Sequence, residues 1–234
     1  MSRRAVILAG GLGTRLRPFT LTIPKPLVPI GSRPVLDIVI QQLAAEGFEH
    51  ITLAISAHTR LIRAFFGDGK DWNVNIDYSL EDQPLSTMGP LKLIGDLPEN
   101  FLVMNGDILT DLAFDEFYRR HAAAERLFTI ASHRREQSID YGVLHSEEGR
   151  LVRFEEKPKV PFEVSMGIYM LNRRVLSFIP EGVPFGFDDL MRLLMLRGEP
   201  VFVEPYGGYW KDIGRPDDYE SAVADNEAVP ERFT

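Results

Sequence analysis

Residues 5–8 read AVIL and run into GGLGTRLRP over residues 10–18, with PKPLVPIG following over residues 24–31. The four apolar, partly β-branched residues predict a strand buried on both faces, the kind found inside a parallel sheet. Such a strand ending in glycines delivers backbone N–H groups to the carboxyl edge of the sheet, where α/β folds bind their ligands. Gly10, Gly11 and Gly13 remove side chains that would hold a ligand away, leaving main-chain donors to face phosphate oxygens. Arg15 adds a guanidinium able to grip two oxygens at once. The same glycines also suit a tight structural turn, and the loop alone does not decide between the two uses.

Two familiar glycine loops do not fit. A triphosphatase loop requires GxxxxGK followed by Ser or Thr, and no lysine follows Gly13 in that way. The dinucleotide pattern GxGxxG, counted from Gly11, places Leu16 at its last glycine. Prolines 24, 26 and 29 predict an extended segment that aims Lys25, because each fixes its own φ and disfavours helix in the residue before it. An ordinary surface loop could carry PKP as well. Ten residues after Arg15 on the same strand exit, however, Lys25 reads as the second cation of a triphosphate site.

Outward from this stretch the pattern alternates. A helix is predicted over 34–47, opened by proline, striped by Val35, Ile38, Val39 and Leu43, and closed by glycine. Strands over 51–55, 74–78 and 101–104 follow, with a helix over 59–66 and a short one over 89–96 between them. This alternation predicts an α/β fold: a Rossmann-like, mixed, mostly parallel central sheet flanked by helices. Residues 10–17 and 105–107 then share the carboxyl edge. From 127 onward strands dominate, over 127–132, 141–145, 151–155 and 164–171. A helix over 188–196, a strand over 201–203 and a last helix from Pro216 complete the chain. With no repeat, linker or low-complexity segment, residues 1–234 read as one domain of two halves, about 1–126 and about 127–234.

Composition bounds the partners. With 26 Lys and Arg against 34 Asp and Glu, the net charge of −8 argues against nonspecific binding to nucleic acid or anionic membranes. No cysteine is present, which excludes disulfides and thiolate zinc sites. Gly10 and Gly11 interrupt the first apolar run too early for a signal peptide or membrane helix, so a cytoplasmic location is expected. Oligomeric state is left open, a homo-oligomer included.

Asp107 is the best single metal candidate, because it ends an apolar strand and Mg²⁺ takes one or two carboxylates plus phosphate oxygens and waters. An aspartate capping the next turn would look the same. Asp111 and Asp115 have the spacing of a helix start instead. The histidines, at 50, 58, 121, 133 and 145, show no ligand spacing.

GGLGTRLRP with PKPLVPI resembles the sugar-1-phosphate nucleotidyltransferases, the NDP-sugar pyrophosphorylases. Further segments similar to that family follow in order along the chain: QPLSTMGPL (83–91), MNGD (104–107), YGVL (141–144), FEEKP (154–158), SMGIYML (165–171) and GYWKDIGRPDDY (208–219). The resemblance implies transfer of a nucleotidyl group from a nucleoside triphosphate to a sugar 1-phosphate, with Mg²⁺, releasing pyrophosphate. It implies that the first half binds nucleotide and the second sugar phosphate. The chain ends soon after residue 214, where many relatives carry extra helices or a left-handed β-helix, so regulation or assembly through such an extension is not expected.

Residue roles follow from the same resemblance. Arg15 would hold the β- and γ-phosphates, and Lys25 would neutralise the α-phosphate; Arg17 is the weaker cation. Leu8, Gly10, Gly11, Gly13, Thr14, Gln83, Ser86 and Gly89 would line the nucleotide. Asp212 would supply the second metal carboxylate beside Asp107. Lys157, in an EKP that could equally be a plain turn, would grip the sugar phosphate, and Glu156 would accept from sugar hydroxyls. Gly142, Asn105, Tyr141 and Gly167 would complete the sugar side. Gln83 suits thymine or uracil without excluding guanine, and LSTMGPL resembles the LGTAGPL of mannose-1-phosphate guanylyltransferases, which tilts the base toward guanine. Ser86, where the family usually has glycine, and Lys211, where an apolar residue is commoner, depart from the pattern. A metal-dependent glycosyltransferase would leave Lys25 and GGLGTRLRP unexplained. A silent nucleotide-sugar-binding regulatory subunit would leave Arg15, Lys25, Asp107, Lys157 and Asp212 without a joint purpose.

Overall fold

The computed structural model describes residues 3–56 and 59–229. In chain order the strands are β1 (Arg3–Leu8), β2 (Pro29–Ile30), β3 (Arg33–Pro34), β4 (Phe48–Ser56), β5 (Asn75–Glu81), β6 (Asn100–Asn105), β7 (Ile108–Thr110), β8 (Phe128–Ser138), β9 (Gly142–Glu147), β10 (Arg150–Glu156), β11 (Lys159–Asn172), β12 (Val201–Tyr206) and β13 (Trp210–Asp212). The helices are α1 (Val35–Ala45), α2 (Arg60–Phe66), α3 (Phe114–Ala123), α4 (Phe187–Arg197) and α5 (Pro216–Ala228). The expected elements are present, with ends shifted by a few residues and with the short helix expected over 89–96 formed as a 3₁₀ helix, Gly89–Leu93. Two short strand pairs, β2–β3 and β7–β13, had no periodic signal in the sequence.

Seven strands form one sheet in the order β12-β8-β11-β6-β1-β4-β5. Pairs β1–β4, β1–β6, β4–β5 and β12–β8 are parallel, whereas β11 runs antiparallel to both β6 and β8. Alternating side chains on the central strands explain why AVIL is apolar throughout. Ala5 and Ile7 enter the core on one face with Leu102, Met104, Ile168 and Met170. Val6 enters the core on the other face with Phe101, Val103, Tyr169 and Leu171. Successive residues Ala5, Val6 and Ile7 are therefore all buried, and Leu8 at the strand's end is half-buried.

Helix α1 is buried beyond the single predicted stripe. Leu36, Val39, Ile40 and Leu43 join the main core, while Val35 and Ile38 face a separate small cluster. Asp37, also buried, is satisfied by Trp72 Nε1 at 2.7 Å.

The chain passes from β1 through α1 to β4 on one side of β1, then returns to place β6 on its other side. Where strand order reverses, the loops leaving two neighbouring parallel strands diverge and open a crevice at the carboxyl edge. That crevice lies after Leu8 and after Asn105.

Candidate active site

Leaving β1, Ala9 still donates to Ala54 O at 2.8 Å, and the next residues turn away from the sheet. Gly13 sits at φ +60°, and a Cβ there would lie 2.9 Å from Thr20 Cγ2 and 3.1 Å from Lys25 Cβ, so only glycine fits. A Cβ on Gly11 would meet nothing within 4 Å, so its backbone faces open cleft. A single 3₁₀ turn, Thr14–Leu16, follows; Leu16 is buried and Arg15 is exposed, with no hydrogen bond or ion pair among the described residues.

Lys25 does not lie in an extended segment. Pro24 is extended, but Lys25–Leu27 forms a 3₁₀ turn closed by Leu27 N–H to Pro24 O (2.8 Å) and Val28 N–H to Lys25 O (3.1 Å). A turn closed by the donors of residues 27 and 28 does not need the N–H groups that Pro24 and Pro26 lack. The turn directs the Lys25 ammonium to Asp107, with which it forms an ion pair, and to within 3.9 Å of Asp212 Oδ1.

The two aspartates come together through the three-residue strands that flank them. β7 begins immediately after Asp107 and pairs antiparallel with β13, matching Asp212 to Ile108, while Ile213 N–H donates to Asp107 O at 3.0 Å. Beneath the four charges lies one apolar cluster containing Leu16, Val28, Leu109 and Ile213, each within three residues of Arg15, Lys25, Asp107 or Asp212. Burial raises the carboxyl pKa of Asp212, and the nearby Asp107 carboxylate raises it further; Lys25 and Arg15 oppose this.

Arg15, Lys25 and Asp107 stand at one end of a cleft of about 600 Å³; Asp212 does not line it, although Gly214 beside it does. Of the expected residues, Leu8, Gly10, Gly11, Gly13, Thr14, Arg15, Lys25, Gln83, Ser86, Asn105 and Asp107 line it. At its far end residues 83–89 are docked against residues 182–187. Met88 and Gly89 N–H groups donate to Phe185 O (2.9 and 3.0 Å), Phe185 N–H to Leu85 O (3.0 Å), and Gln83 Nε2 to Gly182 O (3.1 Å). Gly89 does not line the cleft; it is buried, where a Cβ would lie 2.9 Å from Leu85 Cβ. Ser86 does, in the left-handed region at φ +64°.

The residues expected on the sugar side divide. Asn105 lines the cleft, and Gly167 supports it from behind. Gly167 occupies the irregularity between Ser165 and Tyr169 in β11 at φ +73°, where a Cβ would lie 2.6 Å from Asn105 Nδ2. Tyr141, Gly142, Glu156 and Lys157 do not line it. They belong to or adjoin the β9–β10 hairpin, inserted between β8 and β11, where Gly142 pairs with Glu156 and all four are exposed.

Glu81 and Gly214 line the cleft and were not singled out by the sequence. Glu81 ends β5; its Oε2 accepts from Leu85 N–H at 2.9 Å, and its Oε1 lies 3.0 Å from the place of a Gly10 Cβ. It joins the glycine loop to the 83–89 segment, and burial raises its pKa. Its only sequence signal was a carboxylate closing a strand. Gly214, inside the recognised GYWKDIGRPDDY segment, lies beside Asp212 and Asp218. Asp111 is held by Tyr206 OH (2.5 Å) and Tyr209 N–H (2.6 Å), and Asp115 by Arg3 and Arg119, as expected for structural carboxylates. His58 lies outside the described residues.

A glycine loop and a paired lysine and aspartate at the crevice between β1 and β6 define a phosphate-handling α/β protein. Residues 4–228 match the family model described as nucleotidyl transferase, and the chain belongs to that family. Curated relatives include the mannose-1-phosphate guanyltransferases of Schizosaccharomyces pombe, 37% identical over 92% of this chain, and of Saccharomyces cerevisiae, 34% identical over 94%. The chain spans 62% and 63% of the lengths of these two relatives. Among solved structures, HddC from Yersinia pseudotuberculosis complexed with GMP-PN is 27% identical, with a TM-score of 0.72 over 95% of this chain and 99% of that one. A glucose-1-phosphate thymidylyltransferase-like protein from Bacillus anthracis shares the fold at a TM-score of 0.77 and 22% identity, covering 99% of both chains.

Proposed function

We propose that the protein transfers a guanylyl group from GTP to a hexose 1-phosphate, mannose 1-phosphate first among candidates, giving the GDP-sugar and pyrophosphate. The observation that carries this reading is Lys25 held between Asp107 and Asp212 at the mouth of the glycine loop. The names of the curated relatives favour mannose 1-phosphate and guanine, and the guanine-nucleotide analogue carried by HddC favours guanine again.

A sugar 1-phosphate is already an anionic nucleophile, so the reaction needs charge control and alignment rather than a strong base. One of its phosphate oxygens attacks the α-phosphorus of GTP, and the bond from that phosphorus to the bridging oxygen of the β-phosphate breaks. Gly10, Gly11 and Gly13 present backbone to the triphosphate. Arg15, exposed in the cleft, holds the β- and γ-phosphates and offsets the charge that builds on the leaving pyrophosphate. Lys25 neutralises the α-phosphate as the second anion approaches.

Asp107 and Asp212 fit a divalent cation, Mg²⁺ by preference, because two carboxylates here already bracket one ammonium. Among the described residues no group of three or more His, Asp or Glu side chains is arranged to hold a metal, so phosphate oxygens and water must complete the shell, as Mg²⁺ accepts. Bound there, the ion would supply positive charge to the reacting phosphates. Lys157 and Glu156, on the second half, meet the sugar phosphate, with Tyr141, Gly142 and Asn105 around the sugar.

The chain is read as one domain whose halves, about 1–126 and about 127–234, serve nucleotide and sugar phosphate. Among the described residues no helix is long and apolar enough to cross a membrane. Pyrophosphate release measured with GTP, dTTP, UTP, CTP and ATP against several hexose 1-phosphates tests the reading; GTP with mannose 1-phosphate is the expected best pair. Release of a nucleoside diphosphate from a supplied nucleotide sugar, with no pyrophosphate from any of these pairs, would replace it with glycosyl transfer.

A further inference from the structure

Asp212 sits at the end of a strand only three residues long, and its side chain is 45% exposed. Among the described residues its sole strand neighbour is β7, equally short. A two-stranded ladder of this length does not hold itself in place, so something else must fix the second carboxylate. The alternation of side chains along a strand shows what does. Trp210 and Asp212 point one way: Trp210 Nε1 donates to Met166 O at 2.9 Å, and Asp212 faces Lys25. Tyr209 and Lys211 point the other way, toward α5. There the Lys211 ammonium donates to Asp225 Oδ2 and Ser221 Oγ, each at 2.5 Å, and lies 5.8 Å from the centre of the Tyr209 ring. Tyr209 OH donates to the same Asp225 Oδ2 at 2.9 Å.

Helix α5 brings little apolar surface of its own. Ala222 is its one fully buried residue, with Tyr219 and Val223 packed alongside the cluster beneath the site. The Lys211 side chain is only 17% exposed, so its charge is largely withdrawn from water and depends on Asp225.

We propose that Lys211 is a positioning residue, and that the Lys211–Asp225–Ser221 tie makes α5 a strut that sets Asp212 against Asp107. This rests on the reading of Asp107 and Asp212 as the metal carboxylates. It gives a purpose to the lysine that stands where the family pattern has an apolar residue, with an aspartate and a serine on α5 placed to receive it. Supports behind a metal ligand typically change metal affinity by about 10- to 100-fold without touching the metal.

The test measures GTP binding by calorimetry in Mn²⁺ and in EDTA, using the whole chain. The ratio of the two affinities is the gain conferred by metal, a coupling that a merely structural change does not move. Lys211→Met is expected to cut that gain by about tenfold, with binding in EDTA within about twofold of the parent. Asp225→Asn, at the other end of the same tie, provides a second variant if Lys211→Met folds poorly and is expected to lower the gain in the same direction. The double variant is expected to be no worse than Lys211→Met alone, because both changes remove one tie. Asp212→Asn serves as reference. If Asp212→Asn abolishes the gain while both single tie variants keep it, the strut is refuted. If Asp212→Asn also keeps the gain, the metal reading fails and takes the strut with it.

Discussion

The proposed chemistry leans on Lys25 more than on any other side chain in the cleft. Its ammonium is paired with Asp107 and lies 3.9 Å from Asp212, so removing it leaves two carboxylates facing each other at the place where two further anions must meet. Lys25→Ala is expected to lower pyrophosphate release by about 100-fold or more, the scale of losing one preorganised electrostatic contact. Asp107→Asn is expected to lose a similar factor, with unchanged circular dichroism in both variants; release near the parent rate would remove either residue from the mechanism. Ser86 makes a prediction of another kind. A serine at φ +64° bears a left-handed cost that glycine does not, which accounts physically for the glycine common at this place in the family pattern. Ser86→Gly is expected to raise stability by up to about 1 kcal/mol, and Ser86→Ala to leave it unchanged or lower, in urea melts.

The elements were legible where one physical signal dominated. AVIL marked a central strand because its first three side chains are fully buried and Leu8 is half-buried, and the glycines after it marked the cleft because only backbone could approach. PKP was misread as extended, since the rules for residues around proline do not register that a 3₁₀ turn takes its donors from further along. The β7–β13 ladder was not legible: two three-residue strands about a hundred positions apart carry no periodicity. For the same reason the sequence named Asp107 and, through resemblance, Asp212, but not the pairing or the Lys211 tie that joins them. Helix α3 adds a prediction. His121 is fully buried, its Nδ1 bonded to Thr129 Oγ1 at 2.8 Å, and burial lowers its pKa from 6.5 to about 4. The folded chain thus holds this imidazole neutral where the unfolded chain protonates it. Its contribution to stability is complete above pH 6.5 and is lost as pH falls toward 4, by on the order of 3 kcal/mol. Urea midpoints should therefore fall more steeply across that window in the parent than in His121→Gln; parallel curves would contradict the assignment.

At the scale of the whole molecule, residues before and after about 127 are joined at several places, the β7–β13 ladder among them. The sheet continues from β6 to β11, and residues 182–187 reach back to hold the 83–89 segment at the far end of the cleft. The fold class was legible from strand and helix alternation, because both sheet faces must be covered by helices. The place of the β9–β10 hairpin was not, since an inserted hairpin has a clear pattern of its own but no signal for where it leans. The hairpin residues assigned to sugar phosphate, Lys157 and Glu156, stand outside the cleft lining and are assigned by family pattern alone. Guanylyl transfer centred on Lys25, Asp107 and Asp212 is the reaction proposed for the whole molecule. Its most direct test is pyrophosphate formation by the purified chain with Mg²⁺, GTP and mannose 1-phosphate, followed in parallel with Lys25→Ala. Pyrophosphate and GDP-sugar are expected in equal amounts, formed only when both substrates are present and lost in the variant. Pyrophosphate formation equal in Lys25→Ala and the parent, or none from either across all triphosphates and sugar phosphates tested, would contradict it.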